Sequence, residues 1–157
     1  MLNFSMLDPT DITLLSVLQK NGQTTAQELG DILNLSPSQA NRRRQRLEDS
    51  GLIQGYRARL DPAKLGLQVQ AFVQVQLARH GKEQGQSFAR LLHTRPEVTS
   101  AWTMTGEADY LLRVWCPDLI ALNALIHEVL LAHPVVSRVH SQIVMDQTKQ
   151  DAPLPVF

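Results

Sequence analysis

The sequence predicts an α+β chain built in two successive parts, helical up to about Asp61 and mixed after it. Three observations carry this. Thr25-Ala26-Gln27-Glu28 and Ser36-Pro37-Ser38-Gln39 are capping-box strings, each opening a run with helical periodicity. Residues 69–77 alternate apolar and polar side chains, the period of a strand. From there the elements follow in the order strand, helix, strand, strand, helix, strand.

In the first helix, Asp8 is placed to cap, Pro9 takes the first helical position, and Asp11 lies in the first turn near the positive end of the dipole. Its buried stripe is expected at Ile12, Leu15 and Leu18, flanked by Leu14 and Val17, with Asn21-Gly22 as the stop. The second helix is capped by Thr25 and offers Leu29, Ile32 and Leu33 as its apolar face. Asn34, which tolerates the left-handed conformation, follows at the turn. The third is capped by Ser36, has Pro37 at its first position, and runs to Ser50 before Gly51. Two short helices joined by a turn of about three residues form a helix-turn-helix. Leu52–Leu60 reads as a strand, completing a winged-helix-like domain over residues 1–60, and 61–66 reads as a linker.

Residues 67–150 hold the mixed part. Val69, Ala71, Val73, Val75 and Leu77 share one face of its first strand, and Gln70, Phe72, Gln74 and Gln76 share the other. Gln86–His93 reads as a short amphipathic helix with Phe88, Leu91 and Leu92. Val98–Met104 and Tyr110–Trp115 form a hairpin around Thr105-Gly106-Glu107-Ala108-Asp109. Asp118 caps a longer helix with Leu122, Leu125, Ile126 and Val129, Val135–Val144 is the last strand, and 151–157 is expected to be a loose tail. The order is that of a ferredoxin-like βαββαβ sheet. Both helices cover one face, so the open face, with Phe72 among glutamines, calls for a partner, expected to be a second copy.

The composition narrows the function. The chain has 157 residues with 15 Lys+Arg against 15 Asp+Glu, and no apolar run near the ~20 residues of a membrane span. The N-terminus MLNFSMLDPTD has neither a basic region nor an apolar core, so secretion is not expected and a cytoplasmic setting is. The single Cys116 excludes an intrachain disulfide. Zero net charge hides a local bias: from Arg42 to Arg59 there are six arginines and two acids, Glu48 and Asp49. Phosphates are met by such a patch and not by an average.

The patch centres on the third helix. Ala40 and Leu47 fall on its inner side, while Ser38, Asn41, Arg42 and Gln45 fall opposite, with Gln39 and Arg46 at the edge. Arg pairs bidentately with guanine, Asn and Gln pair with adenine, and surplus Arg neutralises phosphate. Orphan amides at the helix start, beside Ser36, suit a further phosphate. Arg43 and Arg44 flank the inner stripe and fit either a phosphate contact or the domain's own surface. The candidate DNA-binding set is Ser36, Ser38, Gln39, Asn41, Arg42, Arg43, Gln45 and Arg46, with double-stranded DNA as partner.

At this point the chain resembles bacterial and archaeal transcription regulators of the Lrp/AsnC (leucine-responsive, feast-or-famine) family. The likeness runs from about Leu7 to Lys149, through LDPTDITLLSVLQKNGQTTAQELGDILNLSPSQ, RRRQRLEDSGLIQGYRARLDPAKLG and the GEADYLL turn. It implies homodimers built through the sheets of the second domain, often assembled into octamers. It also implies an amino-acid effector near the turn Gly106, Glu107, Ala108 and Asp109. Asp109 suits an ammonium there, and amides freed by Gly106 suit a carboxylate. Asp109 equally fits a turn residue bonding its own backbone. Two positions depart from the family pattern: Ala108 stands where an aromatic residue is usual, and Arg44 replaces Val or Ile.

Other chemistries find little support. His80, His93, His127, His133 and His140 lack the pair spacing of a zinc site, and no metal or other cofactor is expected. Cys116 precedes Pro117 with no His partner to activate it. Trp102, Met104, Tyr110 and Trp115 read as sheet or interface residues. A ferredoxin-like sheet also hosts enzymes, but no convergent acid–base set is offered, so catalysis is not expected. The expectation is a DNA-binding regulator modulated by an amino acid. The alternative is an architectural DNA binder indifferent to effectors.

Overall fold

The computed structural model describes residues 7–78 and 81–156. His80, the opening residues 1–6 and Phe157 of the tail therefore lie outside the described residues. The chain divides into two compact units. One comprises residues 1–59 with 149–157, and the other residues 60–148.

The first unit contains α1 (Pro9–Lys20), α2 (Ala26–Leu33) and α3 (Pro37–Asp49). All three start on reciprocal caps. Asp8 with Asp11, Thr25 with Glu28, and Ser36 with Gln39 each exchange side-chain-to-amide bonds, satisfying donors that the first turn leaves open. Asn34 adopts the left-handed conformation (φ 54°) that turns α2 into α3. The turn is tight: a Cβ on Gly30 would lie 2.7 Å from the Leu35 carbonyl oxygen, so only glycine fits there. The core is Leu14, Leu15, Leu18, Leu29, Ala40 and Leu47, with Leu7, Val17, Leu33, Ile53 and Val156 packed at its edge.

Several expectations change here. The inner stripe of α1 is Asp11, Leu14, Leu15 and Leu18, and Ile12 is only half-buried. A buried carboxylate takes the place that periodicity gives to an aliphatic residue, because α3 supplies cations opposite it. Ile32 is 49 % exposed. Leu52–Leu60 bends at its start and forms no strand, since the described residues of the unit offer no neighbouring strand to complete a ladder. The tail expected to be loose instead docks on α1. Gln19 Nε2 donates to the Leu154 carbonyl (3.0 Å), the Leu154 amide donates to Gln19 Oε1 (2.6 Å), and Val156 meets the core. An amide side chain and one apolar residue are enough to seat it.

The second unit opens with a 3₁₀ turn at Ala63–Leu65, closed by Gly66. It continues through β1 (Val69–Leu77), α4 (Lys82–His93), β2 (Val98–Thr103), β3 (Tyr110–Cys116), α5 (Leu119–Ala124) and β4 (Val136–Ile143). The strands form one antiparallel sheet in the order β2-β3-β1-β4, the ferredoxin-like topology. Ala71, Val73, Val75 and Leu77 face a core completed by Phe88 and Leu92 of α4, Leu112 and Val114 of β3, and Leu122, Leu125 and Leu130. The α4 helix begins at Lys82 and not at Gln86: extended Gly81 precedes a polar first turn that periodicity alone does not reveal. After Ala124 the helix widens to π-helical turns over Leu125–Leu130, which brings Leu130 into the core in place of Val129. The opposite face of the sheet bears no helix of this unit among the described residues. Trp102 pairs with Leu111, and Phe72 with Arg113 and Gln142, so these side chains share that open face.

Candidate nucleic-acid interface and ligand pocket

The outward side of α3 carries Ser38, Asn41 and Arg42, all exposed and in no side-chain hydrogen bond or ion pair among the described residues. Gln45 is exposed too, its amide donating to Asp49 (2.9 Å). At the helix start, Gln39 Oε1 accepts from the Ser36 amide and hydroxyl, both at 3.0 Å, so these two residues preorganise the first turn. A shallow cavity of about 480 Å³ opens among Leu35, Gln39, Arg42, Arg43 and Arg46, wide enough to admit an anion between guanidiniums.

The remaining arginines of α3 turn inward. Arg43 Nη1 donates to Asp8 (2.5 Å) and to Asp11 (2.9 Å), while Arg46 Nη2 donates to the other Asp11 oxygen (2.5 Å). Asp11 is fully buried, Arg43 is 30 % exposed and Arg46 56 % exposed. The Arg43 bond holds the Asp8 carboxyl below its usual range, and the two carboxylates raise Arg43 in turn. Of the two roles open to Arg43 in sequence, this geometry supports the domain's own surface. Arg46 keeps half of its side chain in solvent beside the cavity.

Arg44 forms a second network. Its Nε donates to Glu48 Oε1 (2.9 Å), Nη1 donates to the Thr24 carbonyl (3.3 Å), and the guanidinium stacks 4.7 Å over the Tyr56 ring. The Tyr56 hydroxyl closes the triangle by donating to Glu48 (2.9 Å). Bonds from Arg44 and then Tyr56 hold the Glu48 carboxyl below its ordinary value, and burial pushes the Tyr56 phenol up. The polar residue at this position is therefore fully accommodated.

In the second unit, Gly106 takes φ 112°, which lets the turn after β2 fold back. Asp109 closes that turn from three sides. Its carbonyl accepts from the Met104 amide (2.9 Å), its own amide donates to the Val75 carbonyl (3.0 Å), and Oδ2 accepts from the Leu77 amide (2.7 Å). Asp109 thus pins the hairpin to the end of β1. Beside it, Glu107 and Ala108 join Gln74, Gln76, Arg138 and His140 around a cavity of about 280 Å³. An adjoining hollow of about 190 Å³ reaches Met104, Thr105 and Leu111.

Arg138 and His140 stand opposite Gln76 and Gln74 in the β4–β1 register. This places a guanidinium and an imidazole on the same open face as Glu107, a pairing that suits a zwitterion. Gln74, Gln76, Arg138 and His140 are pocket residues to which the sequence alone does not point. The i, i+2 spacing of each pair was legible, but the register that joins them was not.

The Cys116 thiol is buried, and burial followed by Glu97 and Asp118 pushes it up, away from the thiolate a nucleophile needs. No group of His, Cys, Asp or Glu suited to a metal ion occurs among the described residues. None of their helices is long and apolar enough to cross a membrane.

Comparison with known proteins agrees with both halves. Residues 7–54 match the model of a winged helix-turn-helix DNA-binding domain, and residues 70–154 match that of the Lrp/AsnC ligand binding domain. The chain is 36 % identical to the DNA-binding transcriptional activator DecR of Escherichia coli K12, over 96 % of this chain and 99 % of that protein. It is 35 % identical to the leucine-responsive regulatory protein of the same strain, over 92 % and 88 %. A transcriptional regulator of Neisseria meningitidis, solved as a complex with L-Met, superposes with a TM-score of 0.91 at 39 % identity, covering 96 % of this chain and 97 % of that one.

Proposed function

The chain belongs to the Lrp/AsnC family of transcriptional regulators, and from that premise we propose that it reads DNA through the outward face of α3 and takes an amino acid at the Gly106–Asp109 turn. The observation that carries the reading is the division of α3. Ser38, Asn41 and Arg42 remain unengaged on one side, while Arg43, Arg44 and Arg46 are held by carboxylates of the same unit. A helix whose charge were only a solvated face would have no reason to segregate its arginines this way. Asn41, Arg42 and Gln45 meet base edges, and Ser36, Ser38, Gln39 and Arg46 meet the backbone. Arg43 acts through the position it gives the helix.

In the second unit, Arg138 takes the effector carboxylate and Glu107 its ammonium, with Gln74 and Gln76 as further polar partners. Asp109 shapes this site by fixing the turn. Ala108 leaves room where an aromatic side chain is usual in the family. The Met complex of the Neisseria relative supports an amino acid as the ligand class. The band of exposed Trp102 with half-buried Phe72 and Leu111 on the open sheet face is covered by a second copy, giving a homodimer whose paired α3 helices read a two-fold symmetric site. The protein acts in the cytoplasm, by binding and not by catalysis.

The test is a titration of purified protein against the DNA upstream of its own gene and a shuffled duplex, with and without pooled amino acids. Preference for the upstream fragment, altered by the pool, is expected. Equal affinity for both duplexes overturns sequence reading, and indifference to every amino acid overturns sensing.

A further inference from the structure

We propose that the DNA backbone is gripped at a second place on the first unit, a basic groove lined by Lys20, Arg57 and Arg59, and that Arg44 positions this groove without touching DNA. The proposal rests on the DNA-binding reading above and deepens it.

Phosphate neutralisation supplies much of the affinity of any DNA binder, and α3 by itself offers little. Three of its four arginines, Arg43, Arg44 and Arg46, are paired with Asp8, Asp11 and Glu48. Among the described residues of this unit, Lys20, Arg42, Arg57, Arg59 and Lys149 are in no ion pair. Three of those five cations line one cavity of about 730 Å³, between the α1–α2 turn and the segment that follows α3. Its other lining groups include Asn21 and Gln23, amides that can bond phosphate oxygens, and no acid lines it. A groove lined by three cations and neutral hydrogen-bonding groups suits a polyanion.

Side-chain contacts hold the groove open. Residues 52–60 form no strand, so no ladder fixes Arg57 and Arg59. Tyr56, next to Arg57, holds the segment instead, and the Arg59 guanidinium donates to Gln150 Oε1 (2.9 Å). The Tyr56 ring lies where a Cβ on Gly22 would approach to 2.6 Å, it is covered by the Arg44 guanidinium, and its hydroxyl bonds Glu48. Arg44 also donates to the Thr24 carbonyl, so one side chain joins α3, the α1–α2 turn and the Tyr56 segment. An aliphatic residue at position 44 would make none of these polar links.

The experiment measures Kd against salt for wild type, Lys20→Gln/Arg57→Gln, and Arg44→Met/Glu48→Gln, using the upstream fragment and a shuffled duplex. Among the described residues neither the Lys20 nor the Arg57 side chain is in a hydrogen bond or ion pair, so the first variant is expected to keep the fold. The second removes the clamp at unchanged net charge. For Lys20→Gln/Arg57→Gln the slope of log affinity on log salt is expected to flatten by about 1.8, and its deficit to shrink about tenfold between roughly 50 and 200 mM salt. Both duplexes are expected to lose alike, because a backbone grip carries no sequence information.

A wild-type slope in this variant overturns the groove. The clamp variant is expected to flatten the slope as well while retaining a cooperative melt. If it does not fold, Tyr56→Leu replaces it. A folded clamp variant with the wild-type slope overturns the positioning role of Arg44. Because the shuffled duplex alone reports the slope, these outcomes are separate from loss of preference for the upstream fragment, which counts against sequence reading only.

Discussion

Asp11 and Arg46 are joined by a 2.5 Å ion pair that ties the first turn of α1 to the last turn of α3. The other Asp11 oxygen takes Arg43, so one fully buried carboxylate sets the seat of the helix proposed to read DNA. The substitution Asp11→Asn keeps the shape of the side chain but removes the charge that both guanidiniums face. We expect a stability loss of about 2–3 kcal/mol, below the full value for a buried pair because both arginines reach solvent. The variant also releases Arg46 beside the outward face, while Arg43 keeps its pair with Asp8. The affinity of the variant for shuffled DNA should rise relative to the upstream fragment, and its salt slope should steepen. A urea melt and a salt titration check the two halves. Unchanged stability would show that Asp11 does not anchor α3.

The acid limit of the first unit follows from the carboxylates around that anchor. Asp8 is held below its usual value first by the Arg43 bond, Glu48 first by Arg44, and Glu28 first by the Thr25 amide. A group with a depressed folded pKa stabilises the fold above its unfolded pKa, and that contribution is lost as pH falls through the folded value. The melting temperature should therefore stay level from neutral pH to about pH 5 and fall below about pH 4.5. Asp8→Asn combined with Glu48→Gln should flatten the acid limb while lowering the neutral plateau. A thermal-melt series across pH reads both.

What was legible in sequence was whatever local chemistry decides. The Thr25 and Ser36 caps, the Asn34 turn and the Asp118 cap each need only neighbours within a few residues, and all are formed. The alternation of β1 was legible because a sheet covered on one face separates its two sets of side chains. Partners distant in sequence were not. Asp11 read as a dipole residue because its arginines lie more than thirty positions away (32 and 35). Leu52–Leu60 read as a strand because propensity cannot supply a pairing partner. Arg138 and His140 became pocket residues only through the β1–β4 register.

Arg138 and Asp109 separate ligand contact from scaffold. Asp109→Ala removes the acceptor of the Leu77 amide at the end of β1, and the second unit should lose about 1–2 kcal/mol. Arg138 lines the pocket on an exposed strand position, so Arg138→Ala should leave the melt within about 0.5 kcal/mol of wild type. Calorimetric titration with amino acids should show binding abolished by Arg138→Ala while affinity for DNA without effector is kept. Retained binding in Arg138→Ala would move the carboxylate contact elsewhere in the turn.

Gly30→Ala tests the turn that sets α3 on α2, and its sign is the informative part. In an open helix interior the change would stabilise by about 0.8–1 kcal/mol through propensity. Here the added Cβ would meet the Leu35 carbonyl oxygen at 2.7 Å and the Pro37 nitrogen at 3.2 Å, both backbone atoms that cannot rotate away. The Gly30 carbonyl also accepts the Leu35 amide at 2.9 Å, so pushing the turn outward strains the bond that closes it. The steric term wins, and we expect a net loss of about 1–3 kcal/mol. Because the displaced element is the start of α3, preference for the upstream fragment should fall further than affinity for shuffled DNA. A chemical melt with paired titrations reads both effects, and a stabilised Gly30→Ala protein would mean that the close approach is relieved at little cost.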